Sequence, residues 1–203
     1  MNAQAQAIFD FWFQPGPGQA ADAPRPEWFK KDAKFDRSIA ERFGAQIELA
    51  LEGGLHAWDA EGPQAALARI VVLDQFTRNV YRGTPLAFAG DRQALEAALD
   101  MVDAEQDLTL PPLQRGFIYM PFEHAEDIAM QEQAVALFTR MAGAESGKVS
   151  EATARSIANS LDYARRHRDV IQRFGRFPHR NAILGRTSTP EEIAFLKQPG
   201  SGF

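Results

Sequence analysis

The sequence predicts an all-α protein, on three observations. Apolar residues recur at three-to-four spacing through most of the chain, alternating apolar and polar runs rich in β-branched residues are almost absent, and proline and glycine fall between the periodic segments. A first helix, about Ala3 to Phe13, carries Ile8, Phe11 and Trp12. The Pro/Gly-rich stretch from Pro15 to Pro26 cannot continue it and reads as a loop. A second helix from about Asp32 aligns Phe35, Ile39, Phe43, Ile47 and Leu51 in one buried stripe and ends at Gly53-Gly54. A third begins near Pro63, where a proline in the first turn loses no hydrogen bond, and runs to about Asn79. Thr84-Pro85 opens a fourth that runs to about Asp100, Pro111-Pro112 starts a short fifth, and a sixth spans roughly Phe122 to Met141. Ser150 caps a seventh that continues to Phe174, and Thr189-Pro190-Glu191-Glu192 has the form of a capping box for a short last helix. About eight helices joined by short connections imply helical hairpins stacked as a bundle or short solenoid, in a single domain over residues 1–203.

Composition removes several function classes. A chain of 203 residues can fill one core that takes roughly 70% of the unfolded surface out of water. Its formal charge of −5 argues against nucleic acid or an anionic membrane as partner, since both favour a basic surface. With no cysteine there is no disulfide framework, thiolate nucleophile or Cys-ligated metal, and a reducing cytoplasm is the expected compartment. The N-terminal residues lack a basic region and a small-residue cleavage site, so no secretion signal is expected. No window approaches eighteen uninterrupted apolar residues. H-E-x-x-H, a Walker-type loop, a G-x-S-x-G elbow and a dinucleotide fingerprint are all missing, and neither a cofactor nor a metal is expected.

Polar residues stand out in several apolar surroundings. In IVVLDQFTRNVYR, Asp74, Arg78 and Arg82 share one helical face with Gln75 and Asn79, opposite Ile70, Leu73, Phe76 and Val80. A solvated face with an Asp–Arg pair accounts for that pattern, yet Asp, Gln, Arg and Asn are groups suited to directional hydrogen bonds. Asp91 falls inside the apolar stripe of the fourth helix, where leaving a carboxylate unpaired would cost several kcal/mol or force its protonation, so a cation or several donors should meet it. His167 and Arg168, on the apolar face of the seventh helix, are candidate partners. MPFEHAED gathers His124, Glu126 and Asp127 near an expected helix start, where capping explains most of the acidity. Finally, FGRFPHRNAILGR crowds Arg176, His179, Arg180 and Arg186 without an acidic residue. Either carboxylates from elsewhere neutralise these cations, or an anionic ligand does.

These segments also carry a family likeness. IVVLDQFTRNVYRGTPLAFAGD, FIYMPFEHAED and FGRFPHRNAILGRTSTPEE, together with WFKKDAKFD at Trp28 to Asp36, resemble the bacterial family called domain of unknown function 924, over nearly the whole chain. The resemblance implies a tetratricopeptide-like right-handed superhelix and brings no catalytic residues with it. One departure is Thr77, where the family pattern often has proline after LDQF.

The leading functional expectation is a helical protein that binds a small anionic ligand in an Arg/His/Asp-lined cleft, with hydrolytic or transfer chemistry. In that reading Arg78, Arg82 and Arg180 hold the anion, with Asp74, His167, Asn181 and Arg186 also at the site. His124 or His179 exchanges protons, and Asp91 orients a histidine or arginine. The alternative is a tetratricopeptide-like scaffold that binds a peptide or partner protein, argued from fold analogy. A third reading has every polar group pairing internally and the function lying elsewhere on the surface. Oligomeric state is not specified by the sequence.

Overall fold

Capping side chains, N-terminal prolines and apolar spacing divide the chain into eight helices in the computed structural model, which describes residues 1–16, 18–20 and 22–202. Pro17 and Ala21, within the stretch expected to be a loop, lie outside the described residues. Among the described residues there is no strand, and the all-α expectation holds.

Helix α1 covers Ala3–Phe13 and buries Ala5, Ile8, Phe9 and Trp12. Helix α2, Ala33–Leu51, is capped by Asp32, whose carboxylate accepts from the amides of Lys34 and Phe35. Helix α3 starts at Gly62-Pro63 and runs as an α-helix over Pro63–Ile70, widens into a π-helix over Val71–Phe76, and closes with an α turn at Thr77–Val80. Thr77, where the family pattern often has proline, lies at the exit of the π segment, and its hydroxyl donates back to the Leu73 carbonyl at 2.8 Å.

The fourth helix begins later than the sequence suggests. Thr84-Pro85 opens only a 3₁₀ turn, Pro85–Phe88, and α4 proper is Asp91–Asp103. Between the two lies a close approach: Gly90 is so near α3 that an added Cβ would stand 2.2 Å from the Leu73 carbonyl oxygen, and only glycine fits there. Helix α5, Pro112–His124, is longer than the short helix expected. It contains the residues Phe122 to His124 that the sequence assigned to the next one. Helix α6 is Ile128–Glu145, capped by Asp127, and α7 is Glu151–Phe174, capped by Ser150 and ended by Gly175 at φ 69°. Helix α8, Pro190–Leu196, has the expected Thr189/Glu192 capping box.

Helix α3 is the centre of the molecule. It touches α1, α2, α4 and α5, and every residue from Ala65 to Thr77 is buried. Trp12, Phe11, Phe43 and Phe76 pack edge-on and stacked around it. Helix α5 links this layer to α6 and α7, which pack on each other along their lengths. Residues 175–202 return across this second layer, with Phe177 buried beside Val170 and Ile171 of α7. No helix is long and apolar enough to cross a membrane among the described residues.

Candidate functional site

Two helix irregularities build the site. The first is the π segment of α3, which buries Asp74 completely and Gln75 almost completely on the side that the sequence pattern presented as solvated. A π turn adds a residue per turn, so side chains near it leave the α-helical register; such segments are common at functional sites. The second is the C-terminus of α5. The carbonyls of Glu123 and Ala125 would be left open there, but the buried Gln131 of α6 donates to both, at 2.6 and 2.7 Å. The helix therefore ends in a fixed geometry, with His124 as its last residue and Glu123 buried beside it.

These two ends meet. His124 Nδ1 lies 2.7 Å from Asp74 Oδ1, Gln75 donates to the other Asp74 oxygen at 2.6 Å, and Arg78 lies 3.1 Å from Oδ1. Burial pushes the Asp74 carboxyl up, but the charges of Arg78 and His124 and the hydrogen bonds from His124 and Gln75 outweigh it and hold the carboxyl well below the usual carboxylate range. An ionised carboxylate only accepts, so Nδ1 of His124 carries the proton and Nε2 is the basic nitrogen. Nε2 makes no hydrogen bond among the described residues.

Arg78 is fixed from behind by Asp91, through two bonds of 2.7 and 3.0 Å. Arg180 closes on the same carboxylate at 3.2 Å, with its guanidinium 4.6 Å from the ring centres of both Phe88 and Phe177. Burial, then the neighbouring Arg78 charge, push Arg180 down to about 10, which leaves it charged at neutral pH. Asp91 thus meets the partners its position required, but they are Arg78 and Arg180. His167 instead lies 3.0 Å from Glu123 Oε1, and Arg168 pairs with Asp169 at the surface. Nδ1 of His167 also faces the Tyr163 carbonyl at 2.9 Å, so two acceptors fix its proton there, as Asp74 alone does for His124. The two imidazole rings are 6.3 Å apart.

Both histidines open onto a cleft of about 800 Å³. Its floor holds Gln75, Arg78, Glu123 and His124, and one wall is the face of α7 with Ser156, Ser160, Tyr163 and His167. The other wall is the stretch Pro24 to Phe29, which is tied down at several points. Arg25 donates to the carbonyls of Phe11 and Trp12 at 2.6 and 2.9 Å, the Trp28 indole donates to Trp12 at 2.9 Å, and Thr153 donates to the Asp22 carbonyl. Three guanidiniums, Arg25, Arg78 and Arg155, line the cleft with the carboxylate of Glu123; Arg25 also lies 3.7 Å from Glu27, and Arg155 pairs with Glu151. Among the described residues there is no group of three or more His, Cys, Asp or Glu side chains placed to hold a metal.

The structure therefore brings Asp74, Arg78, His124 and His167 together, with Asp91 and Arg180 directly behind Arg78. It does not bring in the rest. Arg82 is bonded to Asp36 of α2, at 3.1 to 3.3 Å, away from the cleft. Asn181 donates to Ser188 and Glu192, and Arg186 grips Glu126 at 2.6 and 2.8 Å. Arg176 pairs with Glu192 at 2.7 and 2.8 Å. These bonds lock the C-terminal segment onto the helices, so most of the FGRFPHRNAILGR cluster is neutralised from within. His179 packs against Phe177 and does not line the cleft; burial, then the Arg180 charge, push it down to about 4. Sequence reasoning missed Glu123 and the cleft wall at Pro24 to Phe29. Glu123 was one residue from a histidine already singled out. No local signal marks a loop that is held in place by bonds to residues more than ten positions away.

Fold and cleft together define an all-helical protein with a buried acid–imidazole pair at the base of an open pocket. A family model described as bacterial protein of unknown function (DUF924) matches residues 8–200, and the chain belongs to that family. Among solved structures it is similar to the protein of unknown function ATU0120 from Agrobacterium tumefaciens. The two are 38% identical with a TM-score of 0.77, over 96% of this chain and 97% of the other. No curated protein matches.

Proposed function

We propose that the cleft binds a small organic anion and that His124, oriented by Asp74, exchanges a proton with it in a hydrolytic or transfer reaction. The observation that carries this reading is the 2.7 Å contact between a fully buried aspartate and a histidine whose other nitrogen has no protein partner among the described residues and whose ring lines an 800 Å³ cleft. A carboxylate in that position fixes the imidazole tautomer and stabilises the imidazolium formed when Nε2 takes a proton. Arg78, held by Asp74 and Asp91, presents its guanidinium beside it, and Arg25 and Arg155 also line the cleft, each with a glutamate partner, Glu27 at 3.7 Å and Glu151. The Glu123–His167 pair supplies a second proton carrier across the cleft. In this scheme Asp91 and Arg180 act on Arg78 and not on the ligand.

Inorganic phosphate and small dicarboxylates test the reading through melting temperature. A ligand at a hundred times its Kd adds about 2.7 kcal/mol of stability. The native protein should melt several degrees higher with ligand, and His124→Gln and Arg25→Gln should lose most of that increase. Equal increases in native and variant proteins would place the anion elsewhere.

A further inference from the structure

The cleft lining is chemically mixed. Beside His124 and Arg78 it includes the apolar groups of Phe29, Met120 and Tyr163. Phe29 is 64% exposed, more than any other large hydrophobic side chain among the described residues, and Tyr163 is 47% exposed. These are the two aromatic residues in that exposed group, and both line this cleft. One side of the Phe29 ring packs on the core, stacked on Phe117 at 6.3 Å and edge-on to Trp28 at 6.4 Å, while the rest of it stays open to the cleft, an exposure that is unfavourable unless something covers it. Phe29, Met120, Ser156 and Ser160 are also shared with an adjoining apolar niche of about 20 Å³, bordered by Trp28 and Phe117. The apolar lining is close to the chemistry. Met120 Sδ lies 3.5 Å from Gln75 Nε2, and Gln75 in turn is bonded to Asp74.

We infer that the ligand is an aromatic anion, with its charged head at His124 and Arg78 and a planar ring covering Phe29 and Met120. This rests on the anion reading above and adds the class of molecule. Phe29, Tyr163 and the Met120 thioether are the groups that favour a flat π face over an alkyl chain, because rings pair with rings offset or edge-on and sulfur approaches ring edges. The volume of the cleft, about 800 Å³, suits a ligand of that kind, since pockets of this volume enclose most of the surface of a drug-sized molecule.

Three phosphonates with one head group separate the possibilities: methylphosphonate, butylphosphonate and phenylphosphonate, titrated calorimetrically into the native protein at constant pH. Phenylphosphonate should bind about tenfold or more tightly than methylphosphonate, with butylphosphonate between them. Phe29→Ala and Phe29→Leu should both remove most of the phenyl preference and leave methylphosphonate affinity unchanged; an exposed loop residue can be replaced with little risk to folding. If methyl and phenyl compounds bind equally, the aromatic inference is wrong and the anion reading stands. If butylphosphonate matches phenylphosphonate, or Phe29→Leu keeps the preference, the covering group is apolar but not aromatic and the inference fails. If none of the three binds, the anion reading fails and takes this one with it.

Discussion

Arg78 and His124 converge on the same oxygen of Asp74, at 3.1 and 2.7 Å, so one buried carboxylate fixes both the cation and the base of the cleft. Asp74→Asn separates the two roles. The amide can donate as well as accept, which removes the reason for Nδ1 of His124 to carry the proton. Imidazole ¹⁵N spectra should show an Nδ1–H tautomer in the native protein and a mixed or Nε2–H population in the variant. Stability should also fall by about 3 kcal/mol or more, because Arg78 loses one of its buried counter-charges.

Gly90→Ala tests how the fold holds this arrangement from outside. Its Cβ would meet a backbone oxygen of the π segment at 2.2 Å, and neither chain has a flexible end to move. The expected loss is about 1–3 kcal/mol in urea unfolding, with the Asp91–Arg78 contact loosened because Asp91 is the next residue. A variant as stable as the native protein would contradict the close approach.

Gln131→Ala removes the side chain that closes the end of α5. The carbonyls of Glu123 and Ala125 then lose their donor, at a cost of about 1–3 kcal/mol. Amide exchange should quicken selectively in the last turn of α5 and the first of α6, and the His124 resonances should broaden. Uniform protection across both helices would show that Gln131 does not position the histidine.

Acid should destabilise the protein in two stages. His179 stays neutral in the fold down to about 4, whereas in the unfolded chain it protonates near 6.5. The unfolded state therefore binds more protons between those values, and stability falls as pH drops from about 6.5 to 4. Glu192 is held down to about 2, first by the hydrogen bond from Arg176, and Asp74 lies lower than ordinary carboxylates for the reasons given above. Their contribution is present above the ordinary carboxylate range and is lost as pH falls through their folded values. Melting temperature should decline across both windows, and His179→Gln should flatten the first while leaving the second. An unchanged slope between pH 6.5 and 4 in that variant would exclude His179 as the cause.

The helices were legible because their signals are local: Asp32, Ser150 and the Thr189/Glu192 box each act within one turn. Asp91 was legible as a residue needing a partner, since its place in the stripe takes the carboxylate largely out of water, and at the start of the helix it is half-buried. Which partner was not, because Arg180 lies 89 residues away and nothing in the intervening pattern records the distance. The polar face of α3 misled for a different reason. The helix is covered on every side, with all residues from Ala65 to Thr77 buried, so a period that assigns one face to solvent showed Asp74 as solvated when it is the most enclosed carboxylate of the site. The boundary between α5 and α6 was misplaced because Phe122 and Phe138 both continue an apolar period, while the break depends on the Asp127 cap and the clamp from Gln131.

The most direct measurement is an imidazole NMR titration of ¹⁵N-histidine protein with phenylphosphonate at fixed pH, with each resonance assigned by substitution. Saturable movement of the His124 and His167 signals, with those of the exposed His56 unmoved and the response lost in Asp74→Asn, is the result expected of a ligand site built on the Asp74–His124 pair. Unmoved His124 and His167 at saturating phosphonate would contradict it.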